Sequence, residues 1–388
     1  MTKWSYDTNG TPGLDSVHAH ALVCVTFSVY ILAQVLRRQV RVTGLVVTKF
    51  FMIHVMNLAM LKLEAGVWGL VFMTCTLLYF YETLPVRYLP VQEKVVLITG
   101  CDRGIGHNLA KQLDQLGFYV YAGCLQKGSE GEQELVRNCS SRLTTLQLDV
   151  CQLEQVENAV NKVTNELGNK ELWGIVNNAG ICFVGNVETM TTADIQKLIT
   201  VNYLGPVNIC KAFFPLLRKG KGRLVNISSN AGLAPVPEMG VYCASKAALA
   251  TMTEVWRYEL QKWGIKVATI IPSGYKTGIL AYDKQATAER WWRSASDAVK
   301  EDYGKECFYA KPKTEALLSP DLSPILDALV DALLSKSPKA YYYRGIFSRA
   351  LPFLYLHLPT TLGDLVMKVI GDWFISKPLA LQKSSKKF

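Results

Sequence analysis

The stretch from 94 to 125 leaves this chain little freedom. "KVVLITG" at 94–100 is a short β-branched run, the pattern of a strand buried on both faces. It passes directly into "GCDRGIG" at 100–106 and then into "HNLAKQLDQLG", an amphipathic helix ending at Gly117. "FYVYAGCL" at 118–125 is a second strand. Strand, glycine loop, helix and strand within about 30 residues make one βαβ unit. Gly100 permits the tight turn, Gly104 lets backbone approach a pyrophosphate, and Gly106 lets the helix pack close to the strand. The phosphates would meet the helix N-terminus, where free N–H groups and the dipole favour anions. The glycine spacing alone is common; its place between strand and helix gives it weight.

The alternation continues. "LTTLQLDV" at 143–150 reads as a strand ending in Asp149, followed by a helix over 153–167. "LWGIVNNAG" (172–180), "GRLVNISS" (222–229) and "IKVATIIP" (265–272) read as further strands, with helices around 192–218 and 241–262 between them. Six or seven buried strands with intervening helices predict an α/β fold, a Rossmann-type doubly wound parallel sheet. Its ligands sit at the carboxyl ends of the strands, here loops 100–106, 149–151, 177–181, 228–232 and 272–277.

Before the first strand the composition differs. Hydrophobic residues make up 49% of the chain, and their excess lies mainly before residue 82. Runs at 21–36, 42–61 and 66–81 predict two or three apolar helices in a membrane-anchoring region over 1–90; buried core helices are the alternative. Arg37, Arg38 and Arg41 place the first loop on the cytosolic side, so two spans would put the main domain in the lumen and three in the cytosol. Sequons at Asn9 and Asn138 would report on this, while Asn226 falls in a predicted buried strand and should be silent. The net charge of +10 is scattered rather than striped, which argues against a nucleic-acid partner and fits an anionic membrane surface. Ten cysteines without C-x-x-C, and five histidines without paired spacing, predict reduced thiols and no metal.

The chemistry concentrates at "VYCASKAA", residues 241–248. Tyr242 and Lys246 lie four apart, on one helix face. A surface Tyr/Lys pair is the bland reading. The sharp one is proton transfer: a nearby ammonium favours the phenolate and lowers the tyrosine pKa from about 10. Ser229, thirteen residues earlier, would hydrogen-bond a substrate oxygen, and Asn202 would hold a relaying water. No G-x-S-x-G elbow or paired-histidine motif offers rival chemistry.

T-G-x-x-x-G-x-G at 99–106, N-N-A-G at 177–180, Asn202, Ser229 and Y-x-x-x-K at 242–246 together resemble the short-chain dehydrogenase/reductase family over about 93–280. The resemblance implies a catalytic tetrad of Asn202, Ser229, Tyr242 and Lys246. It implies cofactor contacts from Gly100, Arg103, Gly104, Ile105 and Gly106, an adenine-side contact from Asp149, and further contacts from Asn177, Ala179, Gly180, Tyr242, Lys246, Pro272 and Thr277. Stretches such as "LDQLGFYVYAG", "PLLRKGKGRLVNISS" and "DLSPILDALVDALLSKSP" are similar to the membrane-anchored type 2 hydroxysteroid dehydrogenases, the 17β form nearest and the 11β form next. Retinol and D-3-hydroxybutyrate dehydrogenases share several of them. The implied activity is NAD-dependent oxidation of a hydrophobic secondary alcohol such as a 17β-hydroxysteroid. NADP stays open: Arg103 is basic, and "GCLQKG" ends the second strand with neither the usual acid nor the usual arginine. The resemblance also implies a homodimer through 203–218 and 243–262, and an endoplasmic reticulum membrane, with a mitochondrial membrane as alternative. Two departures stand out: Pro272-Ser273 replaces the usual Pro-Gly, with the glycine displaced to Gly274, and Arg103 stands in the glycine loop.

The core is thus expected over 91–280, with a substrate-covering and helical extension over 281–388. Trp291 and Trp292 would either cover the substrate or join the core. Residues 346–375, apolar and broken by Pro352 and Pro359, predict docking on a membrane surface or on the main domain, and the tail at 383–388 is basic.

Overall fold

The structure, a computed structural model, describes residues 22, 25–30, 32–33, 43–62, 66–82, 87–309, 318–345 and 347–374. The chain divides into two compact units, Met1–Leu89 with Ser335–Ser337, and Pro90–Leu334 with Pro338–Phe388.

In the first unit the apolar segments form α1 (Gly44–Lys62) and α2 (Gly66–Glu82), packed on one another. The expected membrane-spanning helices need correction: among the described residues, no helix is long and apolar enough to cross a membrane. Lys49 and His54 interrupt the apolar run of α1. The 17 residues of α2 rise only about 25 Å, against about 30 Å of hydrocarbon. Most of the run at 21–36, the arginines at 37–41, the Asn9 sequon and the basic tail lie outside the described residues.

The second unit alternates strands and helices as the pattern predicts. In chain order they are β1 (Lys94–Thr99), α3 (Gly104–Gln115), β2 (Tyr119–Cys124), α4 (Glu130–Asn138), β3 (Leu143–Gln147), α5 (Leu153–Leu167), β4 (Glu171–Asn177), α6 (Thr192–Ile199), α7 (Gly205–Lys219), β5 (Arg223–Ile227), α8 (Gly240–Glu259) and β6 (Lys266–Pro272). There follow α9 (Lys284–Ser294), α10 (Asp297–Tyr303), α11 (Lys305–Tyr309), α12 (Ser323–Leu334), β7 (Tyr341–Arg344), α13 (Phe347–His357) and α14 (Thr360–Phe374). The seven strands form one sheet, every pair parallel, in the order β3-β2-β1-β4-β5-β6-β7.

The sheet is doubly wound because its strands are apolar on both faces and need helices on both. On one face Leu97, Ile175, Leu224 and Val267 share a buried cluster with Val163 of α5, Phe213 of α7 and Trp256 of α8. On the other, α3 and α12 pack together. The chain enters at β1, winds outward to β3, then crosses to β4 on the opposite side of β1. The loops after β1 and β4 therefore diverge and open a crevice.

Three local features differ from the sequence pattern. The seventh strand comes from "YYYR" at 341–344, far beyond the alternating region. The helix expected around 192–218 is broken by a π-turn at Thr200–Leu204 that carries Asn202. Trp291 packs with Phe183 and Tyr242 in a second buried cluster, its indole donating to Asp194 (2.8 Å), rather than lining the cavity. Asn226, the sequon expected to be silent, is fully buried.

Candidate active site

The crevice is tied together at its apex. Thr99 Oγ1 accepts from the backbone N–H of Asn178 (3.1 Å) and of Ala179 (3.0 Å). Asn178 Nδ2 donates back to the carbonyls of Thr99 (2.8 Å) and Gly100 (2.9 Å). A side chain at the end of β4 thus clamps the glycine loop at the end of β1. Gly100 and Gly104 sit at φ +71° and +66°, and a Cβ on Gly106 would lie 2.5 Å from the Gly100 carbonyl, so the loop tolerates no side chain there. Thr99 and Asn178 both fall inside the quoted motifs, with N-N-A-G expected to support the central sheet, but their pairing spans 79 residues and becomes visible only when β1 and β4 lie side by side.

The other expected cofactor residues divide into two groups. Gly100, Arg103, Ile105, Asp149, Ala179, Gly180, Pro272 and Thr277 line a cavity of about 1920 Å³. Asp149 Oδ1 accepts from Cys151 N–H (2.9 Å), which turns the end of β3 into that cavity. Gly104 and Gly106 shape the loop beneath the lining; the Thr277 carbonyl stands 2.5 Å from where a Gly104 Cβ would be. Asn177 does not reach the cavity. It is buried, and its amide donates to Asn226 Oδ1 (2.8 Å), bracing β4 against β5. Ser273, the departure from the usual glycine, nests its hydroxyl against Gly345, where no side chain competes.

Asp102 was missed altogether. Its carboxylate accepts from Leu125 N–H (2.9 Å), Gln126 N–H (3.2 Å) and Ser129 Oγ (3.4 Å), all just past β2. Beside it, Glu132 takes the N–H of Gly128. The acid absent from the end of the second strand is therefore supplied from the glycine loop. Arg103 lines another part of the cavity, its side chain packed against Gly278.

The proton-transfer residues converge. Tyr242, Lys246 and Ser229 all line the cavity. Lys246 Nζ donates to the Ile227 carbonyl at the end of β5 (2.9 Å) and lies 5.8 Å from the Tyr242 ring centroid. Ser229 hydrogen-bonds the Tyr242 phenol. Asn202 lies behind this group, 0% exposed and outside the cavity wall. Its Oδ1 accepts from Ile181 N–H (2.9 Å), and its Nδ2 donates to the Ile181 carbonyl (2.9 Å) and Ser245 Oγ (3.0 Å). Asn202 and Lys246 approach each other across Gly180, whose Cβ position would be 3.3 Å from Asn202 Oδ1 and 3.4 Å from Lys246 Nζ.

The electrostatics correct one expectation. Lys246 does not bring the Tyr242 pKa below its ordinary value in the protein alone. Burial, seconded by Cys182, pushes the phenol well above its ordinary value, and the hydrogen bond with Ser229 opposes this only in part. Burial also pulls the Lys246 ammonium down, to about 8. Both groups are shielded from water, so desolvation outweighs their mutual attraction.

The glycine loop fits a dinucleotide. Its backbone can be approached closely, it opens α3 with N–H groups that have no acceptor within the helix, and its cavity continues to Asp149. Past Tyr242 the wall turns apolar: Cys182, Val184, Met239, Ile279, Leu280 and Phe347. Among the described lining residues the cations are Lys246, Arg103, whose side chain packs against Gly278 next to Ile279, and Lys197, which lies beside Cys151.

Residues 94–288 match the family described as short chain dehydrogenase. Estradiol 17-beta-dehydrogenase 2 of Mus musculus is 38% identical over 78% of this chain and 85% of that protein. The 17-beta-hydroxysteroid dehydrogenase type 2 of Homo sapiens is 40% identical over 78% and 80%. The mitochondrial D-beta-hydroxybutyrate dehydrogenase of Bos taurus is 39% identical over 66% and 77%. A short-chain dehydrogenase from Burkholderia cenocepacia, solved in complex with NADP, shares the fold with a TM-score of 0.54 at 22% identity, covering 72% of this chain and 99% of that one. A parallel sheet wound around a glycine loop, a Tyr/Lys pair beside a serine at its carboxyl edge, and these matches agree: the chain belongs to the short-chain dehydrogenases and is an oxidoreductase of that family.

Proposed function

We propose that this enzyme oxidises a hydrophobic secondary alcohol with NAD, and that the alcohol is a 17β-hydroxysteroid such as estradiol or testosterone. The observation that carries the reading is the run of apolar residues on the wall beyond Tyr242, from Cys182 and Val184 to Met239, Ile279, Leu280 and Phe347. A rigid apolar alcohol gains from that burial. The relatives named for estradiol and 17-beta-hydroxysteroids support the substrate class. A 3-hydroxybutyrate reading draws on 39% identity to the Bos taurus enzyme, but a small carboxylate would leave that run of apolar residues unfilled.

In this mechanism Tyr242 accepts the hydroxyl proton and Ser229 donates a hydrogen bond to the substrate oxygen as charge develops there. Lys246 favours the phenolate and would hold the ribose hydroxyls of a bound cofactor, and Asn202 fixes Ile181 in place. NAD, when bound, supplies the hydride acceptor for the carbinol carbon. Gly100, Arg103, Gly104, Ile105, Gly106, Asp149, Ala179, Gly180, Pro272 and Thr277 hold it. Asp102, which lines the cavity and whose carboxylate reaches the residues just past β2, favours NAD over NADP, because a 2′-phosphate there would face a carboxylate.

The enzyme is read as membrane-associated, in the endoplasmic reticulum, through residues 1–90, and as a homodimer through α7 and α8. Exposed Phe51, Val55, Val71 and Tyr79 support the first point, and exposed Val255 and Tyr258 the second. The test is a substrate panel on membranes carrying the enzyme, with NAD and NADP. Ketone from estradiol or testosterone with NAD is expected; turnover of retinol or 3-hydroxybutyrate alone would overturn the substrate.

A further inference from the structure

α13 and α14 form a helical hairpin whose tip is apolar and uncovered. Phe353, Leu354, Tyr355 and Leu356 are consecutive and all exposed, Phe353 at 59% and Leu356 at 61%. Successive helical residues are about 100° apart, so these four cover nearly the whole circumference. No single protein face buries all of them; a medium that surrounds the tip does. On α14, Leu362, Leu365 and Val369 continue the surface as a stripe at i, i+3 and i+7, again exposed. Arg349 and Lys368 flank it and are balanced by Asp364 and Asp372 on α14, so the positive excess comes from the sequence that follows, which carries Lys377, Lys383, Lys386 and Lys387 with no acid after Asp372.

The same hairpin forms the rim of the cavity. Phe347 and Val369 line it and are at once 55% and 56% exposed, so they stand at its mouth. We infer that the α13–α14 tip inserts into the interface of an anionic phospholipid bilayer, and that the cavity mouth opens onto that bilayer so that apolar substrate enters from lipid. An apolar tip with flanking cations is the composition that interfacial insertion requires. Only the entry route rests on the substrate reading above; the seat in the lipid does not.

The test is amide hydrogen exchange on the full chain in nanodiscs of neutral phosphatidylcholine and in nanodiscs containing phosphatidylserine. Peptides covering 353–365 should exchange roughly tenfold more slowly in the anionic discs. In a Phe353→Glu, Leu356→Glu double variant that protection should be lost while peptides from α8 keep wild-type exchange, which shows the fold intact. Equal exchange of wild type in both discs overturns the inference. So does protection that follows protein concentration at fixed lipid, since a second copy would then cover the hairpin. For the entry route, the double variant should raise KM several-fold for disc-presented alcohol with kcat unchanged; an unchanged KM overturns that route. If no steroid is turned over, the exchange result still decides the lipid seat.

Discussion

Asn178 provides the sharpest probe of how the cofactor loop is held. Its amide makes two bonds, to Thr99 O (2.8 Å) and Gly100 O (2.9 Å), at a half-buried position on the cavity wall. Each is worth about 0.5–1.5 kcal/mol net, so Asn178→Ala removes about 1–3 kcal/mol from the clamped loop. The clamped loop is the one competent to bind phosphates, and affinity falls in proportion to its population. That range corresponds to roughly 5- to 150-fold weaker NADH binding. Thr99 Oγ1 still receives its backbone N–H bonds in the variant, so the sheet edge stays paired. The unfolding temperature should fall by about 2–12 °C, at about 2–4 °C per kcal/mol for a unit of this size. Fluorescence titration with NADH and a thermal melt give both numbers. An NADH Kd within twofold of wild type would refute the clamp as a determinant of cofactor binding.

Asp102→Asn should narrow the preference for NADH over NADPH by roughly five- to tenfold in direct titrations, the effect of one partly exposed charge; an unchanged ratio would remove Asp102 as the discriminator. Oxidation should speed up with pH. Burial raises the Tyr242 phenol above its ordinary value, so the proton-accepting form is scarce at pH 7 and grows close to tenfold per unit of pH. Lys246 loses its charge near pH 8 and with it the support for the phenolate, so the rise in kcat/KM should slacken above about 8. A kcat/KM that falls between pH 6 and 8 would contradict that order. Gly131→Ala should lower the unfolding temperature, because its Cβ would collide with the Asp102 carbonyl and displace α4 from the glycine loop; a melt unchanged within a degree would show that α4 gives way freely.

Much of the site was legible because its requirements are local. Gly100, Gly104 and Gly106 announce themselves through residue type, and the Tyr242/Lys246 spacing needs only helical geometry. What escaped depends on chain segments far apart in sequence. Asp102 reads as an ordinary loop acid until β2 ends against it. Asn177 and Asn178 look alike in N-N-A-G, yet the strand pleat turns one into the core and the other onto the glycine loop. The sign of the Tyr242 shift was misjudged for the same reason: spacing shows a neighbouring ammonium but not how deeply the phenol is buried. "YYYR" gave no glycine or alternation to mark a strand, and only the open edge of β6 recruits it. At the N-terminus, apolar content was plain, but the charges inside α1 and the shortness of α2 weigh against spans.

The central claim is that Tyr242 is the proton acceptor in oxidation of a 17β-hydroxysteroid with NAD. The most direct measurement is ketone formed from estradiol by membranes carrying wild type or Tyr242→Phe, with matched protein levels and NADH affinity confirmed in both. The account predicts ketone from wild type and, from the variant, loss of turnover by at least about a hundredfold with cofactor binding retained. Wild-type turnover undiminished in Tyr242→Phe would contradict it.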